Sequence, residues 1–348
     1  MDTIEVKVIV RNDIIMEEMD LLKENIAWLI SRHRHNYCTI LEESRNKERG
    51  LIIKISYPRY FKGNNSFLIT RKSECLEVQK DFVNSIKENV DINDIVIGIQ
   101  LTRVDIPFTY LIADGTDFNS YANIYRIFAF IYNCKKKEAR AKGYIDLLDN
   151  KFETVVYSDN GKTDKSSNNR LMIYNQYQNL KSKLSEEDIE ELLICFPNLK
   201  NRMRLEVSKR IRRQPFNLDE FASFDIFGTY FEEYKKYIFE NVLDHNLMNA
   251  FYNQRAKELA NKLEICRKET NFNYELFIWQ NYREIYDYKI LRQALKMQID
   301  NPNTLENAIT KVRKIIKSYE KRESIIIMDT SKIITELARY LYKLKIKD

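Results

Sequence analysis

The sequence predicts an α+β protein: helices over a largely antiparallel sheet, followed by an all-helical C-terminal region. Up to about residue 211, segments that alternate like strands are interspersed with helical segments. From Phe216 to Asp348 nearly every segment has helical period and length. The chain has 348 residues, of which 44% are hydrophobic and 31% charged, so it is long and apolar enough for two domains with a substantial core.

The α+β region opens with a strand, a helix and a hairpin. IEVKVIV, at Ile4–Val10, alternates like a strand, and Met16–Ile30 has apolar residues at helical spacing. LIIKISYPRYF, at Leu51–Phe61, predicts a strand that the GNN turn connects to a second strand, SFLIT. Glu77–Asn89 predicts a helix, and DIVIGIQLTRVDIPFTYLI predicts a long strand that bends or ends near Pro107.

The order of elements then repeats, as in an internally duplicated sheet domain. Phe118–Tyr132 predicts an aromatic-rich helix, followed by the strands GYIDLLD and ETVVYSD. The polar turn NGKTDKSSNN leads into the strand RLMIYN, a helix covers Gln178–Ile194, and NRMRLEVSKRI is the last strand. Composition shifts at residues 212–217, which predicts an α+β domain over 1–213 and a helical domain over 214–348.

Two features of the helical region stand out. NPNT, at Asn301–Thr304, predicts an N-terminal cap for the helix LENAITKVRKIIKSYEKR. SIIIMD, at Ser324–Asp329, predicts either a short strand or a buried turn.

Composition excludes several classes of protein. Five widely spaced cysteines without a CxxC argue against a disulfide framework or a zinc site, and they favour a reducing compartment. No apolar run reaches membrane-spanning length, and acidic Asp2 and Glu5 follow Met1, unlike a signal peptide. We therefore expect a cytoplasmic protein with no membrane partner. The net charge of +6 is mild, so an anionic partner would have to meet a local basic patch.

In each of two predicted strands, a pair of charged residues lies on one face. Alternation places Arg103 with Asp105 in LTRVDIPF and Arg204 with Glu206 in NRMRLEVSKRI. Two carboxylates on a rigid sheet suit a hard divalent cation, which would polarise a phosphoryl oxygen. The alternative is that these are structural ion pairs on a solvated sheet face.

A third strand, RLMIYN, places Arg170 and Tyr174 on one face, so that a phenol would lie near the two acids. A Tyr hydroxyl there could attack phosphorus, with Tyr177 one helical step away as the other candidate. The run Lys200–Arg213 is strongly basic, which predicts either phosphate binding or a solvated edge. The cations that we expect to contact DNA are Arg103, Arg170, Arg204, Lys209, Arg210, Arg212 and Arg213.

Taken in order, these segments resemble rolling-circle replication initiators of the transposase-like plasmid type and the phage gene II and gene X type. LTRVDIPF resembles their hydrophobic–Arg–hydrophobic–Asp strand, and NRMRLEVSKRI resembles their Arg–apolar–Glu strand. RLMIYNQYQNLK resembles their apolar–Tyr–Asp–Lys segment, and KISYPRYFKGNNSFLIT resembles the opening strands of clostridial-type members. The resemblance covers roughly residues 50–213.

The resemblance implies a nicking-enzyme-like fold and an origin-specific nickase that joins a Tyr to the 5′ phosphate of one DNA strand. Asp105 and Glu206 would then hold Mg²⁺ or Mn²⁺, and Tyr174 would be the leading nucleophile. The family's Asp-Lys is Asn175-Gln176 here, so Lys181 would have to supply the cation. Expected partners are origin DNA, single-stranded or as a hairpin, a host helicase or polymerase, and a second copy of the chain. The alternative function is a non-enzymatic DNA-binding initiator or regulator that retains the fold.

Overall fold

The structure is a computed structural model that describes residues 1–33, 35–43, 50–89, 92, 94–112, 121–135, 154–158, 169–212, 215–285, 287–322 and 329–348. The strands among these residues are β1 Thr3–Val10, β2 Cys38–Glu43, β3 Gly50–Ser56, β4 Val96–Leu111, β5 Thr154–Ser158, β6 Asn169–Asn175 and β7 Arg202–Arg210. They form one seven-stranded sheet in the order β2-β3-β1-β4-β7-β6-β5. Every neighbouring pair is antiparallel, so the predicted antiparallel α+β sheet is confirmed.

Helices connect the strands and make up nearly all of the described C-terminal region, as the sequence predicts. Those before β7 are α1 Met16–Arg32, α2 Tyr57–Lys62, α3 Lys72–Glu88, α4 Tyr121–Lys135, α5 Gln176–Lys181 and α6 Glu186–Cys195. Those after it are α7 Leu218–Ser223, α8 Ile226–Val242, α9 His245–Arg267, α10 Tyr274–Asn281, α11 Tyr288–Gln298, α12 Pro302–Lys321 and α13 Thr330–Lys343. In the described part of the chain, no helix is both long and apolar enough to cross a membrane.

One face of the sheet is apolar and packs against the C-terminal helices. Ile106 pairs with Val207 and Phe108 with Leu205 across β4 and β7, and all four side chains are fully buried. Helix α8 covers this face. The ring centroid of its Phe231 lies 5.5 Å from that of Phe108. The helices therefore complete the hydrophobic core of the sheet.

The predicted boundary between residues 213 and 214 marks a change in composition, but a shared core crosses it. The largest hydrophobic cluster runs from Met1 in the sheet region to Leu341 in α13. Just past the boundary, Phe216 and Ile99 exchange backbone hydrogen bonds of 2.8 and 2.9 Å. These contacts tie the start of the helical region to β4. Whether 1–213 and 214–348 are separate folding units stays a prediction.

The predicted hairpin after residue 51 is wrong. Tyr57–Lys62 is the helix α2, because Pro58 suits the first turn of a helix and Gly63, at φ 72°, ends it in the left-handed conformation. SFLIT contains no strand, and β3 pairs instead with β1 and with β2. Strand β2 was not predicted from the sequence.

Other boundaries differ more modestly. The helix predicted over Gln178–Ile194 is two helices, α5 and α6, because Ser185 forms a capping box that starts α6. Strand β4 continues through Pro107 to Leu111. Its pairing with β1 ends at Asp105, so Pro107 lies beyond that ladder, where its missing N–H breaks no hydrogen bond to β1. GYIDLLD, most of NGKTDKSSNN and SIIIM lie outside the described residues.

The two halves of the sheet share an order of elements. The antiparallel pair β2–β3 is followed by α2, α3 and β4, and the pair β5–β6 is followed by α5, α6 and β7. In each half the second strand runs directly into a six-residue helix, at Tyr57 and at Gln176. Strand β1 lies between β3 and β4, where the second half has no described counterpart. Strands β4 and β7 pair at the centre of the sheet.

Candidate functional site

The other face of the sheet is polar and forms the floor of a cavity of about 440 Å³. Asp105 on β4 is directly opposite Ser208 on β7, which places Glu206 one step along the same face. Met172 on β6 is opposite Glu206, which places Tyr174 on this face as well. Asp105, Glu206 and Tyr174 all line the cavity, so the three strands bring the predicted acids and the predicted phenol to one site.

Tyr174 and Glu206 are joined by a direct hydrogen bond. The Tyr174 hydroxyl donates a 2.9 Å hydrogen bond to Glu206 Oε2, and both side chains are buried. Burial, reinforced by the carboxylates of Asp2 and Asp105, raises the pKa of Glu206 to about 7. Burial also raises the pKa of Tyr174 well above its usual value of 10. The phenol is therefore protonated at neutral pH, and the acceptor of its hydrogen bond can take a proton there.

Cations surround this pair in the cavity. They are contributed by both halves of the sheet domain: Lys54, Arg59, Arg103, Arg170 and Lys183. Burial lowers the pKa of Arg170, and the nearby Arg103 guanidinium lowers it further. Crowded, partly desolvated guanidinium groups favour an anionic ligand, because an anion offsets their mutual repulsion. With three lining carboxylates, Asp2, Asp105 and Glu206, the cavity has an excess of positive charge.

Asp105 is already neutralised by the protein. Arg103 Nε lies 2.8 Å from Asp105 Oδ1, and Arg103 Nη1 lies 3.5 Å from Glu5 Oε1. The structural ion pair that the spacing allowed is therefore present in this strand. Among the described residues no group of three or more His, Cys, Asp or Glu side chains could hold a metal ion.

Arg204 lies on the same face of the sheet as Glu206 but does not line the cavity. Its side chain is fully buried, and its Nη1 donates a 2.9 Å hydrogen bond to the Asn65 carbonyl. Its Nη2 lies 3.3 Å from Asp2 Oδ1. Gln176 donates to the same Asn65 carbonyl at 2.9 Å. These bonds fix the segment after α2 against the sheet, so direct contact of Arg204 with DNA, as expected from the sequence, does not agree with its position.

Several predicted site residues lie away from the cavity. Tyr177 packs with the small apolar cluster of Leu180, Ile189 and Leu199. Lys181 is exposed at the end of α5, and Lys183, two residues on, lines the cavity in its place.

The basic run at the end of β7 is also divided. Lys209 lies on the opposite, helix-covered face and pairs with Glu233 at 2.7 Å. Arg210 and Arg212 are exposed and do not line the cavity, and Arg213 lies outside the described residues.

The lining residues that the sequence did not predict include Asp2, Lys54, Arg59, Asn65 and Lys183. For Lys54 a signal existed. In LIIKIS it interrupts an apolar strand, and alternation places it with Ser56 on one face. Asp2, Arg59 and Asn65 gave no such signal, because their positions depend on how the chain folds back over the sheet.

Comparison with known proteins identifies no relative. The chain matches no family model, no curated protein and no solved structure.

Proposed function

We propose that the chain is a DNA replication initiator whose cavity binds one phosphodiester of an origin strand and cuts that strand by attack of Tyr174. The observation that carries the chemistry is the 2.9 Å hydrogen bond from Tyr174 to Glu206 inside a cation-lined cavity. A hydroxyl nucleophile bonded to a basic carboxylate is a common arrangement in covalent catalysis. The origin and the rolling-circle context are supported by the sequence resemblance alone.

The proposed step is a displacement at phosphorus. A bond forms between Tyr174 Oη and the phosphorus, and the bond from phosphorus to the 3′ oxygen breaks. Glu206 takes the phenolic proton, for which a pKa of about 7 is suitable near neutral pH. The departing 3′ oxygen takes a proton from water. The products are a 5′-phosphotyrosine and a free 3′-hydroxyl, and rejoining reverses each change.

The cations would bind the phosphate and stabilise the charge that develops on it. Arg103 is fixed by Asp105 and Glu5, so its guanidinium is held in place before a ligand arrives. Lys54, Arg170 and Lys183 line the same space and would contact the other phosphate oxygens. Mg²⁺ or Mn²⁺ stays part of the proposal: it would enter with the phosphate, since Mg²⁺ commonly uses one or two carboxylates together with phosphate oxygens.

A covalent-adduct assay tests this function. The protein is incubated with labelled single-stranded DNA, with Mn²⁺, with Mg²⁺ or with EDTA, and separated on a denaturing gel. We expect a labelled protein band that Tyr174→Phe abolishes and Tyr177→Phe, the matched control three residues along the chain, retains. Glu206→Gln should lower the yield by about 10²–10⁴-fold, the range for loss of a general base. A band that survives in Tyr174→Phe would refute the assignment of the nucleophile.

A second candidate is a DNA-binding initiator or regulator without nuclease activity. The observation in its favour is that Asp105 is neutralised by Arg103, as in a purely structural pair. It predicts salt-sensitive DNA binding with no covalent band under any of the three metal conditions. The same gel, run beside a binding titration, separates the two candidates.

A further inference from the structure

Helix α12 carries a polar stripe along its exposed side. Asn303, Asn307, Thr310, Lys314, Lys317 and Lys321 recur at spacings of three and four residues, so they lie on one face of the helix. All six are exposed. The opposite face, which includes Ile309, Val312 and Ile316, is buried in the core.

The stripe changes character along the helix. Its first half has uncharged amide and hydroxyl side chains, and its second half has only lysines. The two acids of α12, Glu306 and Glu320, border the stripe, three residues from Asn303 and from Lys317 respectively. The neighbouring helix α11 contacts α12 and contributes exposed Arg292 and Lys296 but no acid.

Three other exposed lysines of the helical region are paired with acids. Lys236, Lys268 and Lys332 each lie within 4.0 Å of a glutamate one turn away on the same helix. Within the described ranges, Lys314, Lys317 and Lys321 have no acid within that distance and no partner of their own. An uncompensated row of cations raises the local positive potential, which attracts a polyanion.

We propose that the α12 stripe binds duplex DNA, with α12 in the major groove. Asn303, Asn307 and Thr310 would meet base edges, as the N-terminal residues of a recognition helix do, and the three lysines would contact phosphates. This site is separate from the cavity and does not depend on the proposed cleavage. A single strand fits less well, because the stripe has no aromatic side chain for stacking. A bilayer surface fits less well too, because the stripe has no apolar side chain to insert.

Fluorescence anisotropy with a duplex pool of mixed sequence, about 20 base pairs long or roughly two helical turns, tests the site. The variant replaces Lys314, Lys317 and Lys321 with Gln in the full-length chain. Each lost phosphate contact should make the plot of log affinity against log salt shallower by about 0.9, so the triple variant should lose about 2.7 in slope. We also expect at least about tenfold weaker binding at physiological salt.

The matched control changes Lys236, Lys268 and Lys332 to Gln. It removes the same charge from exposed helical positions that are 72%, 73% and 68% accessible. We expect the control to keep the slope of the natural protein to within about one contact. An equal loss in both variants would overturn the proposal, since general charge would then explain the binding. So would an unchanged slope in the α12 variant.

Two further arms complete the test. Asn303→Ala with Asn307→Ala should keep the salt slope but lose sequence preference in a selection from the duplex pool. Vesicles of phosphatidylserine, or an acidic protein, that bound the stripe while duplex DNA did not would refute duplex DNA as the ligand. Tyr174→Phe should leave duplex affinity intact, and the α12 variant should still form the covalent band with a short single strand. Failure of one site is thereby distinguished from failure of the other.

Discussion

Glu206 offers a direct test of the electrostatics of the cavity through stability. The change Glu206→Gln removes the charge and keeps an oxygen that can accept the hydrogen bond of Tyr174. Burial raises the pKa of Glu206 in the folded protein to about 7, against an ordinary value of 4.5. Between these values the folded state holds a proton that the unfolded chain releases, so the free energy of unfolding falls as pH rises.

The size of this effect follows from the difference in pKa. At about 1.36 kcal/mol per unit, a carboxyl shifted from 4.5 to about 7 costs on the order of 3 kcal/mol of stability above pH 7. The cost is absent below the ordinary value. Glu206→Gln should therefore be more stable than the natural protein at high pH, by up to about 3 kcal/mol, and nearly equal to it at low pH.

Urea unfolding at a series of pH values near 5, 6, 7 and 8 measures the difference. Comparing the two proteins at each pH cancels other titrating groups. The main one is the buried amino group of Met1, whose pKa burial lowers to about 6 and whose effect has the opposite sign. A difference that did not change with pH, or a variant less stable near pH 8, would refute a raised pKa for Glu206.

Three other outcomes test the fold. Phe108→Ala should lower the free energy of unfolding by about 3–5 kcal/mol, measured by urea titration, because its ring is fully buried against Phe231 of α8; a loss below 1 kcal/mol would contradict that packing. Gly98→Ala should cost about 1–3 kcal/mol in the same titration, since its Cβ would lie 2.7 Å from the Phe216 carbonyl oxygen, and an unchanged midpoint would show that the two segments are not in contact. A chain ending at residue 212 should bind a dye for exposed apolar surface and unfold without a cooperative transition, because the helices that cover the sheet are absent. Cooperative unfolding of this shortened chain would instead support two independent domains.

The strands that carry the site were predictable because polar residues interrupt apolar strands with period two. Arg103 with Asp105, and Arg204 with Glu206, fall on one face by alternation alone. The alternation of polar and apolar residues does not show how deeply each polar side chain is buried. Arg204 is fully buried beneath the segment after α2, which packs over the sheet, whereas Arg170 lines the cavity.

Local sequence patterns predicted the wrong element where a short segment has features of both a strand and a helix. YPRYFK has strand-like aromatic residues, but Pro58 and Gly63 supply the start and the end of a helix. Lys181 and Lys183 are separated by a turn after α5, and no periodicity indicates which of them would face the cavity. Spacing in the sequence thus predicted the residues of the sheet that form the floor of the cavity. The lining residues on the connecting segments were identified only in the structure.

Peptide mapping by mass spectrometry tests the central claim most directly. The protein is reacted with a short single-stranded oligonucleotide, digested with protease and nuclease, and searched for a nucleotide attached to a tyrosine. We predict one modified peptide, with the added mass on Tyr174. The hydroxyl of this residue lies 2.9 Å from Oε2 of Glu206, the proposed general base. Modification of Tyr177 instead, or intact DNA recovered together with an unmodified Tyr174 peptide, would contradict the account.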